Sequence, residues 1–303
     1  MSVLSKKFTI EIPSFETCRI QLPPFVQRGN PFDKYEIVTQ IGKGAFGSVV
    51  KVKLPNNTFK AIKILNVSKR SDSCSIQKGL KEAENGMMID HPNIVKTHEL
   101  FYDGYNFFFV MDLVSPILVS SIPDSVKEKL LLFQQLISVV SQLYSLGFLH
   151  RDIKLENTGI RTGEDGKQNL VLFDLGEACK VSDFYKEFVG TILNMSPEVV
   201  VNCQYSDRSE VWALICYLIE LLTGKSLILE LFDKAQSCIS ALQVQIKISS
   251  LLEPPIPSGF KEDSSPSGLL MLHILEKGLA IDPEDRLTLP QLEHSLQELI
   301  DLL

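Results

Sequence analysis

The chain has 303 residues, 45% hydrophobic and 22% charged, enough to bury a large core as one domain or two lobes. A net charge of −7 argues against a nucleic-acid footprint, and the longest unbroken apolar run, Val211 to Ile219, is too short to cross a bilayer. With no apolar signal region at the start and no CxxC pair among six cysteines, the expectation is reduced thiols in cytoplasm or nucleus.

Residues 1–34 contain Pro13, Pro23, Pro24 and Pro31, which argue against a helix, while Phe8 to Ile12 alternates like a strand able to extend a sheet edge. From Tyr35 to Leu65 the pattern is β, with Gly42-Lys43-Gly44-Ala45-Phe46-Gly47 inside it and a turn at Pro55-Asn56-Asn57. Ile76, Leu80, Ala83 and Met87 then recur at helical spacing, and strand-like runs follow through Phe107 to Val114. Beyond Pro123 the pattern turns helical. Ser125 and Glu128 read as a capping box ahead of Leu130, Ile137, Val140 and Tyr144, with Gly147 as the stop. Val211 to Leu222 is apolar nearly all round and predicts a helix buried at the centre of a lobe; Thr288 and Gln291 cap a last one. The fold class expected is α+β.

Three functional groups crowd into Asp152 to Asn157: a carboxylate (Asp152), an ammonium (Lys154) and a carboxamide (Asn157). They suit a proton acceptor, a phosphate neutraliser and a metal ligand. Seventeen residues after Asn157, Asp174-Leu175-Gly176 offers a second metal-binding carboxylate on a glycine turn. Phosphoryl transfer needs these parts and little covalent chemistry from the protein. The Gly-x-Gly-x-x-Gly run is followed by Ser48-Val49-Val50-Lys51, a strand and not a helix. Its glycines therefore cap a hairpin whose backbone amides can approach phosphates.

Together with Ala61-Ile62-Lys63, His150-Arg151-Asp152 and the stretch from Gly190-Thr191 to Glu198, this resembles the eukaryotic protein kinases, with the motifs in that family's order from about Tyr35 onward. The resemblance implies a bilobal fold: an extension over 1–34, a small β-rich N-lobe with one main helix over about 35–111, a hinge at about 111–115 and a larger helical C-lobe over about 116–303. It implies ATP and Mg²⁺. Nucleotide contacts would come from Ile41, Gly42, Lys43, Gly44, Ala45, Phe46, Gly47, Ser48 and Val49, from Ala61 and Lys63, and from the hinge residues Met111, Asp112 and Leu113. Asn157 and Asp174 would hold the metal, Asp152 would orient the substrate hydroxyl, and Lys154 would neutralise the migrating group. Counting back from His91-Pro92-Asn93-Ile94-Val95 makes Glu82 the partner of Lys63, with Glu84 the competitor on another helical face. Thr191 would bond the catalytic pair, Glu198 would pair with Arg286, and His150 would be packed structurally.

The implied function is transfer of the γ-phosphoryl group of ATP to a serine or threonine hydroxyl of a protein. Lys154, two residues after Asp152, matches serine/threonine rather than tyrosine kinases. The alternative is a pseudokinase acting as scaffold or allosteric activator; a small-molecule kinase is disfavoured by Thr191 and the segment 190–198. Four departures stand out. Glu210 replaces the aspartate usual two residues before Trp212, which predicts altered bonds to the catalytic loop. Gly159 replaces the bulky floor of the adenine site, which predicts weaker nucleotide binding unless Ile160 or Leu155 fills the gap. Gly79, Gly86 and polar Thr97 predict a loosely held Glu82 helix, seated by a regulatory partner or by 1–34. Glu187 stands near the place of an activating phosphothreonine, facing the cation of Arg151; Ser182 and Tyr185 are candidate phosphosites. Glu156 and Glu220 match positions that bind basic substrate residues in some relatives.

Overall fold

Val, Ile and Phe at alternate positions build the first part of the chain into strands. The computed structural model describes residues 22–43, 47–67, 73–116, 122–163, 166–183, 187–232 and 239–303. Strands β1 (Val26–Arg28), β2 (Glu36–Lys43), β3 (Gly47–Lys53), β4 (Phe59–Asn66), β5 (Thr97–Tyr102) and β6 (Asn106–Met111) form one sheet in the order β1-β5-β6-β4-β3-β2. Its pairs are antiparallel except β1 with β5. The β3–β4 turn uses Asn57 in the left-handed region (φ 65°), which a short amide side chain tolerates, while Asn56 Oδ1 accepts from the Thr58 N–H.

Helix α1 (Ser73–Met88) lays Leu80, Ala83 and Met87 in one apolar cluster with Leu65, Leu100, Phe107 and Phe109. Gly79 and Gly86, expected to loosen this helix, both stand where it comes close to the sheet. A Cβ at 79 would lie 2.9 Å from Phe107 Cδ2, and one at 86 only 2.6 Å from Thr97 Oγ1. The glycines let the helix lie close against the sheet, at their usual cost in helix propensity. Ile76 has no described side chain.

The strand supplied by the N-terminal segment is Val26–Arg28; Phe8 to Ile12 lies outside the described residues. Val26 and Leu22 join the cluster beneath α1. The segment is fastened at Glu99, which accepts from Gln27 (3.0 Å), Lys34 (2.8 Å) and the Tyr35 hydroxyl.

The second half is mainly helical: α2 (Val126–Ser145), α3 (Pro197–Asn202), α4 (Asp207–Thr223), α5 (Ala241–Ser249), α6 (Pro266–Gly278) and α7 (Leu289–Leu302). Small ladders pair β7 (Ser115–Pro116), β9 (Thr158–Thr162) and β10 (Gln168–Leu172), and β8 (Phe148–Leu149) with β11 (Cys179–Lys180). Helix α4 is buried almost all round, as its sequence predicts. The Thr288–Gln291 box caps α7. Ser125 does sit at the N-cap of α2, but its side chain makes no capping bond, so the box expected with Glu128 does not form. The two lobes meet where Leu172 N–H donates to Asn93 C=O (2.7 Å) and Val95 N–H to Leu172 C=O (2.9 Å). Among the described residues no helix is long and apolar enough to cross a membrane.

Candidate active site

Strand register places Lys63 between Val49 of β3 and Phe109 of β6, on the face of the sheet that α1 covers. Its Nζ lies 2.7 Å from Glu82 Oε1 and 3.1 Å from Asp174 Oδ1. Of the two helix carboxylates, Glu82 makes the pair and Glu84 faces solvent. Burial works against the charge on Lys63, but the two carboxylates outweigh it and hold the ammonium above the ordinary lysine range. Glu82 moves up because burial exceeds the help from Lys63; Asp174 is also desolvated, yet Lys63 and the Gly176 amide keep it below the usual carboxylate range. Asp174 itself is left-handed (φ 65°). A Cβ at 176 would crowd both Asp174 Oδ1 (3.0 Å) and Glu82 Oε2 (3.3 Å), so glycine keeps this turn compact.

The second group is built around Asp152. Its carboxylate accepts from Lys154 Nζ (2.8 Å), Thr191 Oγ1 (2.7 Å) and Asn157 Nδ2 (2.8 Å), and Lys154 also reaches Thr191 Oγ1 (2.7 Å). Thr191 can come this close because Gly190 precedes it: with φ 96°, a Cβ there would sit 2.2 Å from the Arg151 carbonyl. Asn194 holds the Ile153 carbonyl (2.8 Å). The groups are contiguous, since Phe173, next to Asp174, donates its N–H to the Asn157 carbonyl (2.9 Å). His150 is fully buried and burial lowers its pKa, in keeping with a structural role.

Three departures resolve differently from their expectations. Glu210, one methylene longer than aspartate, still accepts from the amides of His150 (3.0 Å) and Arg151 (2.9 Å). Burial pushes its pKa up to about 7 against the pull of those amides. The space beside Gly159 is taken by the hinge and by Phe173. A Cβ there would strike Val114 Cγ1 (2.5 Å), Ser115 O (2.6 Å) and the Phe173 ring (3.2 Å), so hinge and ring already occupy the space. Arg151 is not paired with Glu187, which is exposed: its Nε donates to the Glu177 carbonyl (2.7 Å) and its guanidinium lies over Tyr205. That tyrosine holds Val189 through both backbone groups (3.0 and 2.6 Å). The structural pair of the second lobe forms as expected: Arg286, wholly buried, grips Glu198 bidentately at 2.7 and 3.1 Å.

Among the residues expected to contact nucleotide, Ile41, Gly42 and Lys43 close β2, and Gly47, Ser48 and Val49 open β3; Gly44, Ala45 and Phe46 lie outside the described residues, as does Tyr185. Gly47 has a structural reason to be glycine, because a Cβ would meet the Ile64 carbonyl at 1.8 Å. Ala61 is buried opposite Met111. In the hinge, the Asp112 N–H is engaged by the Lys96 carbonyl (3.2 Å), which moves any base-reading donor to Leu113 or beyond. The Asp112 carboxylate ties Lys60 and His98 of the first lobe to Arg161 of the second. Sequence reasoning missed Asn85, Tyr205 and Asn194; Asn85 had a signal, a polar residue three positions after Glu82 on the same helix face.

Residues 35–296 match the protein kinase domain family. The chain is 35% identical over 208 residues to a probable myosin light chain kinase of Dictyostelium discoideum, covering 64% of each chain. It is 34% identical to CBL-interacting serine/threonine-protein kinase 21 of Arabidopsis thaliana (63% of this chain, 47% of the relative). With the serine/threonine-protein kinase fray2 of Dictyostelium discoideum the identity is 28%, over 88% of this chain and 26% of the relative. The chain thus spans less than two thirds of the length of these curated relatives. Sequence match, bilobal fold and converged motifs agree: the chain belongs to the eukaryotic-type protein kinase family.

Proposed function

We propose that the chain is a protein serine/threonine kinase that uses ATP and Mg²⁺. The observation that carries this reading is the contiguity of the Lys63–Glu82–Asp174 and Asp152–Lys154–Thr191 groups. The donor set suits Mg²⁺, a hard cation that takes one or two protein oxygens and completes its shell with water and phosphate. Asp174 offers a carboxylate and Asn157 a carboxamide oxygen, its Nδ2 being held by Asp152. Bound Mg·ATP would supply the electrophilic phosphorus and the divalent charge.

In this reading Lys63, fixed by Glu82, presents an ammonium to the nucleotide phosphates. Asp152 exchanges its contact with Thr191 for the substrate hydroxyl and takes up that proton at its carboxylate. Lys154 stays at Asp152 and offsets charge on the transferred group. Glu220 is raised by burial and by the like charge of Glu156, and neither makes an ion pair with a described cation. A lysine or arginine of the substrate is the natural complement. The N-terminal segment supports the same site, since Val26 and Leu22 pack beneath the helix that carries Glu82.

The test is radiolabelled phosphate transfer from ATP to a generic basic protein by wild type and Asp152→Asn. Loss of about 10²–10⁴ in rate is expected for removal of a positioned base. Labelling no higher than in a kinase-free control, equal in both proteins, would leave the pseudokinase reading in its place.

A further inference from the structure

Asn85 is a polar residue where α1 meets the apolar interior, and only 4% of it is exposed. It sits three positions after Glu82, on the same helix face. Its Nδ2 donates to the carbonyls of Ala178 (3.1 Å) and Leu175 (3.4 Å), which flank the stretch just after Asp174. These partners belong to different bodies. Ala83 and Met87 of α1 pack in the first lobe's cluster, whereas Leu175 and Ala178 are part of the second lobe's core. Next to Asn85 the helix has Gly86, opposed by Thr97, so no large apolar side chain at that position reaches toward Leu175.

We propose that Asn85 is a positioning residue, whose buried carboxamide fastens the Glu82 helix to the backbone of residues 175–178 and thereby sets the place of Asp174. It deepens the reading of Lys63, Glu82 and Asp174 given above and rests on it for its consequence in catalysis. The physical logic is one of desolvation. If α1 swings away, or the 174–178 turn moves, a buried amide and its acceptors lose each other without gaining water. The hydrogen bond therefore makes the Lys63–Glu82 pair and the metal-binding carboxylate shift together.

The experiment compares the full chain with Asn85→Leu, matched in size but unable to donate. Hydrogen–deuterium exchange without nucleotide should rise about tenfold at the amides of 174–180 and 82–88, with α4 and α7 unchanged. In phosphotransfer assays the Mg²⁺ concentration for half-maximal rate should rise several-fold, with kcat little altered. Unchanged exchange at 174–180 would overturn the inference, as would a uniform rise that includes α4 and α7, the mark of general destabilisation. Should the leucine variant fail to fold, Asn85→Ala, smaller and likewise without a donor, decides by the same readouts. A wild type with no phosphotransfer, alongside the local exchange change, would remove the kinase reading and leave the tie of Asn85 standing.

Discussion

Where the family resemblance calls for a bulky side chain beneath the nucleotide base, Gly159 has none, and Val114 and Phe173 close on the position instead. Restoring the family's residue should therefore harm the fold. Gly159→Leu is expected to lose roughly 1–3 kcal/mol through overpacking, measured by urea unfolding, without gaining nucleotide affinity. Glu210 carries a pH dependence of definite sign. Its folded pKa of about 7 lies above the ordinary 4.5 that serves for the unfolded chain, so the folded state holds this proton more tightly. The group favours folding fully below about pH 4.5, and that advantage disappears as pH rises through about 7. Glu210→Gln does not titrate. Unfolding curves at pH 5 and pH 8 should show it gaining on wild type by up to about 3 kcal/mol on going to the higher pH. A difference independent of pH would mean that the carboxylate titrates normally.

At the scale of elements, β1 and α1 act as one packed unit. Glu99 is the shared acceptor for Gln27, Lys34 and Tyr35, and Val26 sits under Ala83's cluster. Glu99→Ala should free residues 22–34 and, through the lost packing, α1. Exchange over both stretches is expected to rise about tenfold, with weaker ATP binding by calorimetry. Faster exchange in 22–34 alone would show that the helix stands without the strand. The helix was legible from its Leu80–Ala83–Met87 stripe, and Glu82 from its distance to His91. Its close approach to the sheet was not, because a glycine's value in a close contact depends on what lies opposite, here Phe107 and Thr97 from distant strands. The capping box at Ser125 failed for a related reason: spacing permits the bond, but local backbone and rotamer decide whether it forms.

Across the whole molecule, the Arg286–Glu198 pair links the end of the 190–198 segment to the turn before α7. Arg286 also donates to the carbonyls of Ala280 and Arg208 and lies over Trp212. Arg286→Ala leaves Glu198 desolvated and those carbonyls unpaired, so a loss of about 3–5 kcal/mol is expected in chemical denaturation. The residues proposed to react were legible in the chain itself. Asp152, Lys154 and Asn157 lie within one short loop, and Lys63 and Asp174 stand at strand and turn positions that local pattern reveals. What fills Gly159, what Arg151 touches in place of Glu187, and why Asn85 is polar emerged only from the folded chain. Those answers depend on atoms brought together from segments far apart in sequence. Patterning along one segment reports which face is buried, whereas the partner on that face is chosen by the packing of all the others.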